Sequence, residues 1–490
     1  MKEFLLPPDA KTLINSMRAV GYSFEAAVAD IIDNSIAAGA SNIRIRFSPY
    51  NAAYVAVIDD GRGMTGSELT QAMRHGSRNP EEIRSETDLG RFGLGLKTAS
   101  LSQCRKLTVI SVKSKSLSSR RWDLDFIEER NDWALLVLDE RDLDDIAVLP
   151  ELGNKGTAVI WENFDRVSAG ESSLERCLCD ALDRTRDHLS LVFHRYLTAE
   201  PGFRKIAISI NDNYIEAFDP FMTWQSATQR LQVEKIKVDG EDIIVEPFIL
   251  PHQSKLKTSE IEKAGGKEGL LRHQGFYVYR NRRLISWGTW FRLAKQEELT
   301  KLARVKVDIP NSLDHLWEVD IKKSVAHPPE AVRQNLKRII ARIFESSRRV
   351  YTYRGRISHT DNLIHAWNRV VDREGIAYSV NRSHPAINEL RGSLGDHQKY
   401  LLDGMLRTLE ISFPAEAFYA DMAGDQRNVK QGIDTPEELL DLARALLSTA
   451  VSAEAAEKLL AGLRLIEPFC HYPEILDKLP ALLKEQDIAN

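Results

Sequence analysis

The stretch Ala26-Ala27-Val28-Ala29-Asp30-Ile31-Ile32-Asp33-Asn34-Ser35 sets carboxylates and an amide inside an apolar run, and no other segment constrains the chain as much. Its pattern predicts one buried helix, with Asp30 and Asn34 one turn apart on the same face. Val28, Ile31, Ile32 and Ile36 occupy most of the remaining circumference, so the polar pair is expected to point into a site rather than to water. A buried carboxylate and carboxamide without partners would cost on the order of a few kcal/mol. A hydrated metal ion carrying phosphates would satisfy both. The competing account is an ordinary capped helix whose Asp and Asn bond nearby backbone.

The flanking residues frame this helix. Ser23 is a good N-cap, Glu25 sits in the first turn near the positive dipole end, and Gly39 marks the stop. A shorter helix is predicted over 9–18. Alternating residues predict strands over 43–47 and 54–58, the second ending in Asp59-Asp60-Gly61-Arg62-Gly63-Met64. Residues 66–89 read as a polar loop with Gly76, Asn79 and Pro80 as breakers. Gly90-Arg91-Phe92-Gly93-Leu94-Gly95-Leu96-Lys97 then forms a glycine-rich turn opening into a helix. Strands are expected over 107–112, 122–126, 133–138 and 157–161, and a helix over 171–193. A second α/β segment is expected from about 203, with strands at 206–210, 243–250 and 275–280. Its sequence from Gly275 to Ile285 reads as strand, basic turn, strand, and a long helix is expected over 329–350. Beyond 360 the pattern is mainly helical, with apolar periodicity at 436–448 and 453–466.

Composition limits the alternatives. A chain of 490 residues suggests about three domains. With 43% apolar and 28% charged residues it reads as globular, and no run approaches the roughly 20 apolar residues that span a bilayer. The start, broken early by Pro7 and Pro8, does not read as a signal peptide. Four cysteines make no disulfide framework, which predicts a reducing, cytoplasmic compartment. Cys177 and Cys179 are expected to pack in the core of a helix rather than to bind metal. The net charge of -5 gives no global sign of a nucleic-acid partner.

Taken singly, the glycine motifs are weak. A dinucleotide fingerprint wants its glycines straight after the first strand of a βαβ unit, and here a long polar loop precedes Gly90. The order found is helical Asp/Asn, strand-Asp59-x-Gly-x-Gly, loop, Gly90-x-x-Gly-x-Gly-Leu-Lys, then Gly156-Thr157. That succession over about 20–165 resembles the GHKL ATPases, which include type II topoisomerase ATPase subunits, MutL, heat-shock chaperones, sensor histidine kinases and MORC proteins. The resemblance implies an α+β chain: a Bergerat-type α/β sandwich over 1–195 that binds ATP and Mg²⁺, a transducer-type α/β domain over 200–350, and a mainly helical region over 360–490. It implies that Asn34 ligates Mg²⁺ and that Asp59 accepts the adenine amino group, with Gly61, Gly63 and Met64 beside the base. Gly90, Arg91, Phe92, Gly93, Leu94 and Gly95 would form a lid hinge whose N–H groups suit phosphates, Lys97 would add a cation there, and Thr157 a hydroxyl near adenine. Asp30 would be the general base, although most hydrolysing members carry glutamate there, one methylene longer. A transducer lysine, Lys322 or Lys323, would reach the γ-phosphate; the sequence does not choose between them.

Within that superfamily the motifs look most like MORC and its prokaryotic relatives, which implies ATP-driven closure of a homodimer on DNA and a role in defence or restriction. The short segment before Asp30 argues against a histidine kinase. Between Arg333 and Arg356 eight basic residues face one acid, Glu345, and Arg280, Arg282 and Arg283 add a second cluster, a distribution that could track phosphates. A solvated helix face paired with acidic segments, such as the tail from Asp434, is the bland account. Two other readings stay open: a chaperone-like or signalling ATPase whose 360–490 region meets a protein partner, and a slowly hydrolysing nucleotide switch.

Overall fold

The computed structural model describes residues 8–19, 21–50, 52–75, 95–167, 173–252, 256–257, 260, 264–265, 269–297, 300–314, 316–317, 328–352, 364–371, 376–415, 418, 436–447, 460–466, 468–472 and 476–477. The chain is α+β, with two large sheets in the first of its two compact units, which ends at Tyr351.

Helix α1 (Ala10–Arg18) precedes α2 (Phe24–Ala37), which begins at an N-cap where the Ser23 hydroxyl accepts from the Ala26 N–H. Ala27, Val28, Ala29, Ile31 and Ile32 are all buried. Helix α2 is enclosed because α4 (Gly95–Gln103) and α7 (Leu174–Val192) pack on either side of it. Burying each isoleucine contributes roughly 1.5–3 kcal/mol. These helices cover one face of a seven-stranded sheet of order β4-β3-β5-β2-β1-β6-β7. Its strands are β1 (Asn42–Ser48), β2 (Tyr54–Asp59), β3 (Lys106–Lys113), β4 (Ser116–Asp123), β5 (Gly156–Glu162), β6 (Ala207–Ile210) and β7 (Asn213–Tyr214). The opposite face is covered by Leu138, Leu143 and Val148, around the short helix α6 (Glu140–Asp144).

Several expectations move. Residues 66–73 are not loop but helix α3 (Gly66–Met73), held by a capping box between Thr65 and Glu68. The strand expected over 122–126 stops at Asp123, whose carboxylate accepts from the Asp125 and Phe126 N–H groups and starts α5 (Leu124–Arg130). Residues 133–138 form no strand; Leu136 makes an isolated bridge with Arg121. Strand β6, expected to open the second domain, pairs parallel with β1 and extends the first sheet. Cys177 is buried as expected, but Cys179 is exposed.

After α7 the short helix α8 (His194–Leu197) leads to β6 and then to a six-stranded sheet, order β12-β11-β13-β10-β8, with β9 on β10. Its strands are β8 (Gln229–Arg230), β9 (Glu234–Val238), β10 (Glu241–Ile249), β11 (Gly275–Arg280), β12 (Arg283–Thr289) and β13 (Ala303–Ile309). Helix α9 (Gly269–Arg272) and the long α10 (Glu330–Thr352) join one face, where Val332, Leu336, Ile339, Ile340 and Ile343 enter the core. A further cluster (Leu191, Phe221, Phe248, Tyr277, Tyr279 and Leu284) joins the end of α7 to the second sheet.

The second unit begins at Thr352. It holds a hairpin of β14 (Trp367–Val371) and β15 (Ile376–Val380), which the helical reading of this region did not include, and helices α11 (Pro385–Ser393), α12 (Asp396–Ile411) and α13 (Pro436–Leu447). Ala443 and Leu447 of α13 pack with Leu463, Ile466, Phe469 and Leu476. Among the described residues no helix is long and apolar enough to cross a membrane.

Candidate active site

Strand register brings the first group of residues together. In the β2–β5 pairing Asp59 lies directly opposite Thr157. Asp59 is buried at a strand end, where Ser35 Oγ of α2 donates to Oδ2 at 2.9 Å and the Gly61 N–H donates to Oδ1 at 2.8 Å. Burial raises its pKa above the ordinary carboxylate value, and these hydrogen bonds oppose the rise. With the Thr157 backbone N–H as a third donor, about one of a carboxylate's roughly four acceptor positions stays unused, so Asp59 can take a further N–H. Beside it, Ser111 of β3 receives the Met64 N–H at 2.8 Å and lies 2.9 Å from Thr157 Oγ1.

The glycines of this corner answer to the protein's own packing. A Cβ on Gly61 would lie 2.8 Å from Asp59 Oδ1 and 2.9 Å from Ala38 Cβ. Gly63, at φ +69°, would drive a Cβ into the Val112 carbonyl. Neighbouring chain fills the space that a Cβ would take at both positions, which by itself requires glycine there.

Helix α2 supplies the second group, and here Asp30 and Asn34 part company. Asn34 is exposed, not buried as the apolar run suggested, whereas Asp30 is enclosed. Tyr22 Oη donates to Asp30 Oδ2 at 3.0 Å, and Arg283 Nη2 lies 3.7 Å from Oδ1. Gly95, the first residue of α4, sits close by: a Cβ there would lie 3.5 Å from Asp30 Oδ2. Of this group Asn34 is exposed and Gly95 half-buried, whereas Asp30 is buried.

Lys97 does not stand free at the start of α4. It is buried, and Nζ donates to the carbonyls of Ala72 and Arg74 at 2.9 and 2.8 Å, where the end of α3 leaves carbonyls without helical partners. Gly90, Arg91, Phe92, Gly93, Leu94, Lys322 and Lys323 lie outside the described residues.

The basic turn between β11 and β12 does not form an exposed cluster. Arg280 pairs with Asp314 at 2.7 Å. Arg282 stacks on Tyr196 and Phe203, 4.4 and 3.8 Å from the ring centres. Arg283 is buried against Asp33, with Nε 2.7 and 2.9 Å from the two carboxylate oxygens. Arg282 and Arg283 tie the second sheet to the first part of the chain, while the Arg280 pair stays within the second. Lys337, Arg338 and Arg342 of α10 remain exposed, with Arg342 paired to Glu234.

Tyr22, Ser35, Ser111 and Arg283 were missed as site residues. Ser35 adjoins Asn34 and could have been flagged, and the apolar flanks of the 280–283 turn hinted at a buried tip. Nothing in the sequence marks Ser111 or Tyr22. Among the described residues no group of three or more His, Cys, Asp or Glu could hold a metal ion by itself.

Residues 22–155 match the family described as histidine kinase-, DNA gyrase B-, and HSP90-like ATPase. The DNA mismatch repair protein MutL of Dictyoglomus turgidum is 30% identical over 119 residues, covering 24% of this chain and 20% of that protein. MutL of Dictyoglomus thermophilum is 28% identical over 116 residues, again 24% and 20%. The chain thus spans about a fifth of the length of these curated relatives. The crystal structure of the N-terminal domain of a DNA repair protein aligns with a TM-score of 0.43 and 17% identity, over 69% of this chain and 98% of that one.

Proposed function

We propose, starting from a domain of the histidine kinase-, DNA gyrase B-, and HSP90-like ATPase type at residues 22–155, that this chain binds and hydrolyses Mg-ATP between α2, the β2 and β5 strand ends and the start of α4. The observation that carries the reading is Asp59, a buried carboxylate held by Ser35 and Gly61 opposite Thr157 with acceptor capacity left over. Adenine offers the exocyclic N–H₂ that such a group recognises. Gly61, Gly63, Met64 and Thr157 wall this corner, and Asn34 holds the metal one turn beyond Asp30. Bound Mg²⁺ would neutralise phosphate charge and orient the triphosphate. Asp30 takes the proton of the attacking water; its short side chain, fixed by Tyr22, sets the geometry. Residues 90–95 close over the phosphates as a lid hinge, and Lys322 or Lys323 senses the γ-phosphate. Lys97, whose Nζ is engaged by the carbonyls of Ala72 and Arg74, ties the start of α4 to the end of α3.

The wider reading is a MORC-like homodimer, cytoplasmic, whose ATP-driven closure acts on DNA, with defence or restriction as its setting. Support comes from the motif succession, from the partial likeness to mismatch repair proteins, and from exposed Lys337, Arg338 and Arg342 on α10. Residues 1–195 and 200–350 would work as ATPase and transducer, with 360–490 available to a partner. A second reading, a slow nucleotide switch, is favoured by the hydrogen bond that already engages Asp30 Oδ2.

Equilibrium binding of a fluorescent ATP analogue with and without Mg²⁺ tests the central claim. Magnesium-dependent binding that weakens tenfold or more in Asn34→Ala is expected, about 1.4 kcal/mol. Metal-independent binding, or an unchanged variant, would remove the proposal.

A further inference from the structure

We infer that Arg283 is a positioning residue for Asp30: a guanidinium delivered from the second sheet fixes the orientation of the carboxylate that α2 presents. Asp30 and Asp33 stand three residues apart on α2, and both side chains are 2% exposed. Both carboxylates face the same guanidinium, Asp33 through hydrogen bonds and Asp30 across 3.7 Å.

Arg283, itself 4% exposed, answers both carboxylates from the first residue of β12. Its Nε lies between the Asp33 oxygens and Nη1 donates to the Leu284 carbonyl at 3.0 Å. The guanidinium lies 5.7 Å from the Phe193 ring centre. A planar group anchored at Nε and Nη1 has little rotation left, so Nη2 stays turned toward Asp30 Oδ1, 3.7 Å away. Tyr22 holds the other oxygen. The partners of Asp59 and Thr157 come instead from Ser35, Gly61 and Ser111. Docking of the β11–β12 hairpin is therefore a requirement of turnover and not of adenine recognition. A lysine keeps the charge but cannot bond Asp33 and face Asp30 at once.

The inference rests on Asp30 as base, and the experiment separates the two. In the full chain, turnover, nucleotide affinity and melting temperature are measured for Arg283→Lys, for the pair Arg283→Met with Asp33→Leu, and for Asp30→Asn. Replacing a buried ion pair by apolar side chains often restores folding. The expected result is a folded double variant that binds nucleotide within about threefold of the wild type and turns over at least about tenfold more slowly, with Arg283→Lys behaving alike. Wild-type turnover in the double variant would show that the arginine only ties the sheets together, and would overturn the inference. Should the double variant not fold, Arg283→Lys decides, and unchanged kcat there overturns it too. Wild-type turnover in Asp30→Asn would instead sink the base assignment itself.

Discussion

Asp59 shows how one buried carboxylate carries two consequences. Because burial raises its pKa, the folded protein holds a proton at Asp59 more tightly than the unfolded chain does. That contribution to stability is complete below the unfolded value near 4 and is lost as pH rises through the higher folded value. Asp59→Asn cannot ionise, so its stability should lack this decline, which denaturant midpoints at pH 4 and pH 7 would show. The same variant presents N–H₂ where adenine also presents N–H₂. Nucleotide affinity is expected to fall about tenfold or more while the fold persists, measured by equilibrium titration. The residue types at Asp30, Asn34, Asp59 and Thr157 were readable in advance because each stands in a motif with fixed spacing. Their environments were not. The enclosure of Asp30 depends on Gly95 and Arg283, which arrive from far along the chain.

At the level of elements, α8 and the β11–β12 hairpin form the joint between the sheets. His194 is buried there, with Nε2 2.7 Å from Tyr279 Oη, and burial pushes its pKa down to about 4. A neutral buried histidine contributes stability that is whole above its unfolded pKa of about 6.5 and is lost as pH falls toward 4. Unfolding free energy is therefore expected to drop by about 2–3 kcal/mol from this group between pH 7 and pH 4. His194→Gln should flatten that dependence in denaturant titrations. Local signals read well where they were strong: the capped α2, the alternating β1 and β2, and the long amphipathic α10. They misled where a short polar motif outweighed composition. Thr65-x-x-Glu68 makes a helix out of an apparent loop, and Asp123 ends β4 one residue after the strand was expected to begin. The arginines at 280–283 looked like a surface cluster because counting charges ignores what packs around a hairpin tip.

For the whole molecule, the boundary near residue 195 does not cut at a natural seam. Removing everything beyond it deletes β6 and β7, leaving the β1 edge unpaired, and takes Arg283 away from Asp33. A fragment of residues 1–195 is expected to aggregate or to melt at least about 10 °C below a fragment of residues 1–351. Calorimetry and gel filtration of the two would check this, and equal melting would indicate an autonomous first sheet. Asp33 and Arg283 lie 250 residues apart along the chain. At synthesis rates of about 5–20 residues per second, α2 leaves the ribosome on the order of ten to fifty seconds before its counter-ion exists. The newborn helix must spend that interval with its acids still in water, so its final burial belongs among the last events of folding.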